Sequence, residues 1–187
     1  MYMLIVWDYY GVVEQDYYWG LSNQLIKKTE DQETIDALHN DLNLGGISWH
    51  EYCARIAADL GQKISEVEGK FKKHNINKQT IMAIQSLKDH RHVLLSNASG
   101  PYLSDVMKSL GIDSLFDEIF ISSEIGYIKP DHRAFLHVLA ATKSPAGDSV
   151  MVDNSPRNIV AAKEVGMQGI LFEEHKNILH QICDLVG

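Results

Sequence analysis

Cysteine and proline are scarce in this sequence of 187 residues, which has two cysteines and four prolines. Cys53 and Cys183 provide neither a disulfide framework nor the paired spacing of a zinc site, and we expect both to be small buried residues. No stretch approaches the roughly 18 apolar residues of a membrane-spanning helix, and the apolar run from Met1 to Trp7 is too short for a secretory signal. We therefore expect a reduced, cytoplasmic protein with no membrane partner.

Positive charge is also in short supply. The chain has 17 Lys and Arg residues against 25 Asp and Glu residues, which gives a formal net charge of -8. A protein that binds nucleic acids through their phosphates needs a basic face, so we expect no nucleic-acid partner. The sequence also has no G-x-G-x-x-G pattern and no P-loop. These absences still allow a small anionic substrate, because a few local cations are enough to hold one.

Five short apolar runs indicate the core of the fold. Each run is continuous rather than alternating, as expected for strands that are covered on both faces. From residue 80 onward the runs alternate with segments of helical periodicity, so the sequence predicts an α/β fold with a doubly wound, Rossmann-like, mostly parallel sheet. The runs are Leu4–Trp7, Val93–Leu95, Ile119–Ile121, Val150–Val152 and Ile170–Phe172.

Residues 15–79 contain no convincing strand, and we expect them to form an α-helical cap inserted after the first strand. This segment has no linker rich in proline or glycine, so the cap is expected to pack on the core rather than swing freely. The sequence thus predicts a core domain of residues 1–14 and 80–187 and a cap domain of residues 15–79.

Two capping boxes are predicted within the cap. Ser48 and Glu51 have the required spacing, and Gly61 is placed to end the helix that follows. Ser65 and Glu68 have the same spacing, which predicts the start of another helix there.

Polar residues follow several of the predicted strands at the point where each strand ends. In order along the chain these residues are Asp8, Ser96, Asn97, Lys129 and Asp153. Ligands of open parallel sheets bind at the carboxyl ends of the strands. Two carboxylates, a hydroxyl and an ammonium at one such edge would suit a phosphoryl group. Each residue alone is equally compatible with a turn, a helix start or a solvated loop, and it is their order that favours the functional interpretation.

The segments around these strand ends are Trp7–Val13, Leu94–Ser99, Ser122–Asp131 and Val152–Asn158, and Gly46–Tyr52 lies in the predicted cap. With these segments the chain resembles the haloacid dehalogenase-like (HAD) hydrolase superfamily over nearly its whole length. The cap segment is similar to that of the subgroup with a small helical cap after the first strand. The resemblance implies a hydrolase with a Rossmann-like core.

The resemblance also implies a role for each strand-end residue. Asp8 would attack phosphorus and form an aspartyl-phosphate, while Ser96 and Asn97 would hold the oxygens of the transferred group. Lys129 would neutralise developing charge. The implied cofactor is Mg²⁺, a hard cation that carboxylates and phosphate oxygens bind well.

The metal ligands that the resemblance implies are Asp8, the backbone carbonyl of Tyr10, Asp153 and Asn154. Two of these residues depart from the usual phosphatase pattern. Tyr10 stands where a second aspartate normally acts as general acid and then as base, and a phenol with a pKa near ~10 accepts a proton poorly at neutral pH. Asn154 stands where a second acidic residue is common, which lowers the expected metal affinity. A slow phosphatase is therefore expected.

Two alternatives stay open. The pattern of Asp8, Tyr10 and Gly11 is similar to that of the haloacid dehalogenases, which use no metal. They would need an early cap arginine for the halide, and the one cap arginine, Arg55, comes later than expected. They also have Ser or Asn at the position of Asp153. The other alternative is a degenerate member that binds a phosphorylated ligand or a partner without turnover.

Tyr17 and Tyr18 follow the connection between core and cap, where we expect contact with substrate. The expected ligand is a small phosphorylated metabolite. The expected assembly is a monomer or a weak homodimer.

Overall fold

A five-stranded parallel sheet forms the centre of the computed structural model, which describes residues 2–15, 18–26 and 32–186. The strands are β1 (Leu4–Trp7), β2 (Arg91–Ser96), β3 (Glu118–Ile121), β4 (Ser149–Asp153) and β5 (Gln168–Leu171). Their order across the sheet is β3-β2-β1-β4-β5, and every neighbouring pair is parallel. Because β1 lies in the middle, the residue that follows it stands between the ends of β2 and β4.

Helices make up most of the rest of the described chain. They are α1 (Tyr18–Ile26), α2 (Gln32–Asn43), α3 (Trp49–Leu60), α4 (Ile64–Lys70), α5 (Lys78–Ser86), α6 (Gly100–Leu110), α7 (Ser122–Ile125), α8 (His132–Thr142), α9 (Pro156–Glu164) and α10 (Ile178–Val186). Among the described residues, no helix is both long enough and apolar enough to cross a membrane.

The helices cover both faces of the sheet, as the continuous apolar runs predict. Ile5, Trp7 and Leu94 belong to an apolar cluster that includes buried residues of α5, α6 and α10. Val6 and Val93 belong to a second cluster, which includes buried residues of α8 and α9. Successive side chains of a strand point to opposite faces, so one continuous run supplies both clusters. The predicted doubly wound α/β fold is confirmed.

The helices α1 to α4 pack on the core through the first of these clusters. Ile35 and Ile56 of these helices share that cluster with the apolar residues of the sheet. The ring of Trp49 stacks on the ring of Tyr102 from α6, with 4.0 Å between the ring centres. The Tyr102 hydroxyl donates a hydrogen bond to the carbonyl of Phe71, over 3.0 Å. Cap and core therefore share one apolar interior.

The chain leaves the core and returns to it along two segments that lie side by side. The amide of Gln15 donates to the carbonyl of Asn75 over 2.8 Å. Between the same two segments, Nδ1 of His74 lies 3.0 Å from a carboxylate oxygen of the buried Glu14. These contacts hold the two connections together at the base of the cap.

The predicted capping box at the start of α3 is present. The Ser48 hydroxyl accepts a hydrogen bond from the amide of Glu51 over 3.2 Å, and the Ser48 amide donates to the Glu51 carboxylate over 2.7 Å. Gly61 ends the helix with a φ of 62°, a left-handed backbone that glycine adopts without strain.

Two of the predictions from sequence are wrong. α4 begins at Ile64, so Ser65 lies inside the helix, and Glu66 instead bonds the amide of Lys63 over 3.4 Å. Lys63 already has the extended backbone of a cap residue, which moves the helix start two residues earlier. Cys183 is exposed, because the apolar stripe of α10 buries its neighbour Ile182 instead.

The two serines provide a matched test of this helix start. Ser48→Ala removes a cap and is expected to lower the free energy of unfolding by about 1 kcal/mol. Ser65→Ala replaces an exposed serine inside a helix and is expected to be neutral or slightly stabilising. Urea unfolding followed by circular dichroism measures both. Equal losses in the two variants would contradict the assignment of the helix starts.

Candidate active site

Three charged side chains meet at the carboxyl end of the sheet. The ammonium nitrogen of Lys129 lies 2.8 Å from Oδ1 of Asp8 and 2.8 Å from Oδ2 of Asp153. Asp8 directly follows β1, Asp153 is the last residue of β4, and these two strands are neighbours. Lys129 comes from the loop between α7 and α8. The structure thus brings together three residues that lie far apart in the sequence, with Asp8 and Lys129 separated by 121 positions.

Asn97 holds the loop that carries Lys129. The Asn97 side-chain amide donates to the carbonyl of Lys129 over 2.9 Å, and its side-chain oxygen accepts from the amide of Lys129 over 2.8 Å. Both ends of the Asn97 amide are therefore engaged by backbone. The sequence predicts that Asn97 binds the transferred group, whereas in the structure its hydrogen bonds position Lys129.

The charged cluster is buried and has one negative charge in excess. The side chains of Lys129 and Asp153 are 1% and 0% exposed, and that of Asp8 is 10% exposed. Burial raises the pKa of Asp8 to about 7, assisted by the charge of Asp153 and opposed by Lys129. Burial acts to lower the pKa of Lys129, but the charges of both carboxylates and their hydrogen bonds raise it above its ordinary value. Lys129 is therefore a permanent cation.

Asp8 and Asp153 differ in how many of their carboxylate oxygens accept hydrogen bonds. Oδ1 of Asp153 accepts from the amide of Ser155 over 2.8 Å, and Oδ2 accepts from the side chain of Asn158 over 2.9 Å in addition to Lys129. Oδ1 of Asp8 accepts from the amide of Tyr9 over 2.8 Å and from Lys129. Oδ2 of Asp8 accepts no hydrogen bond from any described residue. This oxygen has the freedom that a nucleophile requires.

Asp8 and Lys129 border a small cavity of about 200 Å³. Its wall is rich in side-chain amides, which can donate and accept hydrogen bonds but carry no charge. The lining residues are Asp8, Tyr10, Asn43, Asn97, Lys129, Asn154, Ser155 and Asn158. A cavity with one cation, a free carboxylate oxygen and neutral polar walls suits a small anion.

Ser96 lies beside this site at the end of β2. Its side chain is fully buried, and its hydroxyl has no hydrogen-bond partner among the residues that the structure describes. Burying an unpaired hydroxyl is unfavourable, so such a group calls for a ligand or water. Ser96 does not line the cavity itself, although the sequence predicts that it holds the transferred group.

Tyr10 and Asn154 form the rim of the cavity near β1. The ring of Tyr10 is buried and meets the ring of Tyr9 edge to face, with centres 5.0 Å apart. Burial, with the nearby Tyr102 and Glu14, raises the pKa of Tyr10 well above its ordinary value. Tyr10 therefore stays protonated at neutral pH.

Gly11 allows Asn154 to approach the turn after β1. A Cβ atom on Gly11 would lie 1.9 Å from Nδ2 of Asn154, and the φ of Gly11 is 86°. Both observations exclude a side chain at this position. The close packing sets the Asn154 amide at the cavity edge.

The residues present fit a magnesium ion that shares its coordination with a phosphate. Within residues 2–15, 18–26 and 32–186, no group of three or more His, Cys, Asp or Glu side chains is placed to hold a metal. Mg²⁺ needs only one or two carboxylates when substrate and water complete its shell. Asp8 would supply one carboxylate, together with the Tyr10 carbonyl and the Asn154 side-chain oxygen at the same cavity. Asp153 would supply the second, although its buried side chain does not line the cavity and both of its oxygens already accept hydrogen bonds.

The remaining residues considered from the sequence are Tyr17, Tyr18 and Arg55. Tyr17 and the side chain of Tyr18 lie outside the described residues. Arg55 borders a separate cavity on the cap, beside Asp41 and Asp59, and not the cavity of Asp8.

Sequence reasoning missed three cavity residues, Asn43, Ser155 and Asn158. Asn158 could have been found from its place in the first turn of α9, one turn after Asp153. Asn43 has no such signal, because it lies in a cap segment without a recognised motif.

Comparison with known proteins connects this site to a family. The family described as haloacid dehalogenase-like hydrolase matches residues 14–172. A sesquiterpene phosphatase from Aspergillus oryzae is 36% identical over 73 residues, which are 39% of this chain and 37% of the phosphatase. The chain spans well under half the length of the curated relatives that it matches.

Solved structures share the fold over almost the whole chain. A HAD-like family hydrolase from Porphyromonas gingivalis superposes with a TM-score of 0.78 at 23% identity, over 100% of this chain and 98% of that one. A HAD family enzyme from Bacteroides thetaiotaomicron, in complex with magnesium and inorganic phosphate, gives 0.77 at 16% identity, over 97% and 99%. With the family match over most of its length and the same parallel α/β fold, the chain belongs to the haloacid dehalogenase-like hydrolases.

Proposed function

We propose that this hydrolase is a Mg²⁺-dependent phosphatase that acts on a small phosphomonoester through an aspartyl-phosphate on Asp8. The observation that carries the proposal is the pairing of an unbonded Asp8 Oδ2, at the edge of a small polar cavity, with a Lys129 ammonium 2.8 Å from Oδ1 of the same carboxylate. The phosphatase from Aspergillus oryzae and the magnesium and phosphate complex from Bacteroides thetaiotaomicron support the same chemistry.

The first step of the proposed reaction uses Asp8 as nucleophile. Oδ2 of Asp8 attacks phosphorus, the bond to the leaving oxygen breaks, and Tyr10 donates the proton that the departing alcohol needs. Lys129 offsets charge on the transferred group. When bound, Mg²⁺ supplies the positive charge that lets the anionic ester approach the anionic carboxylate.

The second step is expected to be slow. Water attacks phosphorus and releases inorganic phosphate and the Asp8 carboxylate, and this attack is helped by a base. After the alcohol has left, Tyr10 takes a proton back from solvent, because burial raises the pKa of its hydroxyl well above the ordinary value, and the protonated phenol is a poor base for the attacking water. The proposed enzyme therefore accumulates the aspartyl-phosphate.

The metal-free dehalogenase is less well supported. Arg55 lies away from the cavity of Asp8, so it is not placed to receive a halide there. The buried carboxylate of Asp153 beside Lys129 adds negative charge, which disfavours a halide product and favours a cation.

Removal of the nucleophile tests the proposed function. We expect Asp8→Asn to lower phosphate release by about a thousandfold or more in a screen of sugar phosphates and nucleotides with Mg²⁺. Asp89→Asn, an exposed aspartate, serves as the matched control. Activity that persists in Asp8→Asn contradicts the nucleophile assignment. Halide release from 2-haloacids in EDTA would support the dehalogenase, and silence in both assays would support a binding protein.

The same substitution tests the electrostatics of the site. The pKa of Asp8 is raised in the folded state, so its contribution to stability is present at low pH and is lost as the pH rises through about 7. Asp8→Asn has no carboxyl to ionise, so its stability does not fall in this way as the pH rises. In EDTA, we expect the variant to melt about 2–8 °C higher than the wild type at pH 8, with a smaller difference at pH 5. Thermal unfolding at the two pH values measures this, and equal differences would refute it.

Tyr10→Asp tests the assignment of the slow step. A carboxylate at this position can act as base, so we expect steady-state turnover to rise by about 10- to 100-fold. A rapid burst of leaving group should precede slow turnover in the wild type and disappear in the variant. Tyr2→Asp, at an exposed tyrosine, is the control. Unchanged or lower turnover in a folded Tyr10→Asp protein would show that proton transfer does not limit the reaction.

A further inference from the structure

Asn43 is a cap residue that reaches the cavity of Asp8. It is the last residue of α2, it is 7% exposed, and it lines the same cavity as Asp8 and Lys129. Its side-chain oxygen is buried and has no hydrogen-bond partner among the described residues. Asn43 lines the polar cavity, and its buried, unpaired amide oxygen is unfavourable by itself, so a ligand donor that reaches this side chain would relieve it.

The position of Asn43 is set by contacts with the core. Its backbone carbonyl accepts a hydrogen bond from the Ser122 hydroxyl over 2.6 Å. The same hydroxyl accepts from the amide of Ala98 over 3.0 Å. Ser122 follows β3 and Ala98 follows β2, so the end of α2 is tied to two strand ends beside the site. Asn43 is therefore held in place before any ligand arrives.

The other side-chain amides of the cavity are engaged by hydrogen bonds or by packing. Asn97 is bonded at both ends to the backbone of Lys129, and Asn158 donates to Asp153. Asn154 packs against Gly11 at the rim. Asn43 is the amide that reaches the cavity from the cap, and its side-chain oxygen accepts no hydrogen bond from any described residue.

The origin of Asn43 in the cap bears on which part of the substrate it contacts. In phosphoryl transfer the nucleophile and the leaving group lie roughly in line on opposite sides of phosphorus. Asp8 follows β1 of the sheet, and Asn43 lines the same cavity from the end of α2. Because the two side chains come from different elements, Asn43 is assigned to the leaving group rather than to the attacking oxygen.

The size of the cavity limits which part of the leaving group Asn43 meets. A volume of about 200 Å³ is below the range of about 300–1,000 Å³ that is usual for the pockets of drug-sized ligands. Such a space holds a phosphoryl group and only a few further atoms. The donor that Asn43 meets therefore lies close to the ester oxygen.

We propose that Asn43 binds substrate by accepting a hydrogen bond from a hydroxyl on the carbon next to the phosphoester, and that the substrates are small hydroxyalkyl or polyol phosphates. The inference rests on the proposed phosphatase function and names its substrate class. Asn43 contributes selectivity, because an ester without this hydroxyl leaves the amide oxygen unpaired.

The test is a double comparison of protein and substrate. The probes are propane-1,2-diol 1-phosphate and propyl phosphate, which differ by that one hydroxyl. We expect the wild type to favour the diol ester by about tenfold in kcat/KM. Asn43→Ala should reduce this preference to about twofold or less, with the loss confined to the diol ester. Asn40→Ala, at an exposed asparagine one turn earlier on α2, should keep the wild-type preference.

A second variant separates the acceptor from the donor of the amide. Asn43→Asp keeps an acceptor, so the preference for the diol ester should remain, while its charge beside the phosphate lowers kcat/KM for both esters. Equal losses for both esters in Asn43→Ala would overturn the proposal, because a contact with the phosphoryl group or a purely structural role does not distinguish them. A preference that survives in Asn43→Ala would also overturn it.

Equilibrium binding keeps this inference separate from the function on which it rests. The two esters are titrated into Asp8→Asn and into Asp8→Asn with Asn43→Ala, in Mg²⁺, by calorimetry. If the wild type hydrolyses neither ester, the proposed function fails for this class. Tighter binding of the diol ester that depends on Asn43 would still support the role of Asn43. Equal or undetectable binding of the two esters would overturn it.

Discussion

The buried ammonium of Lys129 between two carboxylates is the interaction on which the site depends. Asp8 and Asp153 stand at the ends of neighbouring strands, and without a cation between them their charges would repel in a region that water hardly reaches. Loss of Lys129 would leave two buried carboxylates without a cation between them, which is strongly destabilising. The excess negative charge that remains makes the site receptive to a further cation.

Much of the surrounding structure serves to place this ammonium. The Asn97 side chain forms hydrogen bonds with both the amide and the carbonyl of Lys129. A residue at the end of β2 therefore positions a loop residue that lies beyond β3 in the chain. The first turn of α9 supplies the amide of Ser155 and the side chain of Asn158 to Asp153. These bonds fix one carboxylate firmly and leave an oxygen of the other unoccupied. The difference in commitment marks Asp8 as the carboxylate with an oxygen available to react.

The cap completes the cavity rather than merely covering it. It shares an apolar interior with the core, its two connections run side by side, and the end of α2 is tied to the core through Ser122. Asn43 is thereby delivered to the cavity of Asp8.

Prediction from sequence succeeds where a local pattern has a direct structural cause. The strands could be located because strands buried on both faces need continuous apolar runs, and the cap at Ser48 because its bonds join residues only three apart. Asp8 and Asp153 could be selected because strand ends converge in a parallel sheet, whereas Lys129 lies on a loop beyond β3 and α7. Asn97 could be located but not assigned, since its role depends on which partner its amide meets. The sequence could not show that Asn43 reaches the cavity of Asp8 and that Arg55 does not, because the packing of the cap sets the position of both residues.

By itself, the sequence determined the α/β architecture, the helical insertion and the chemistry available at the strand ends, because these follow from hydrophobic periodicity and chain order. Only the tertiary structure decided which oxygen of Asp8 is free, which asparagine braces the Lys129 loop, and which cap residue reaches the cavity. Hydrogen-bond partners and burial arise from contacts between segments far apart in the chain, and no local pattern records them.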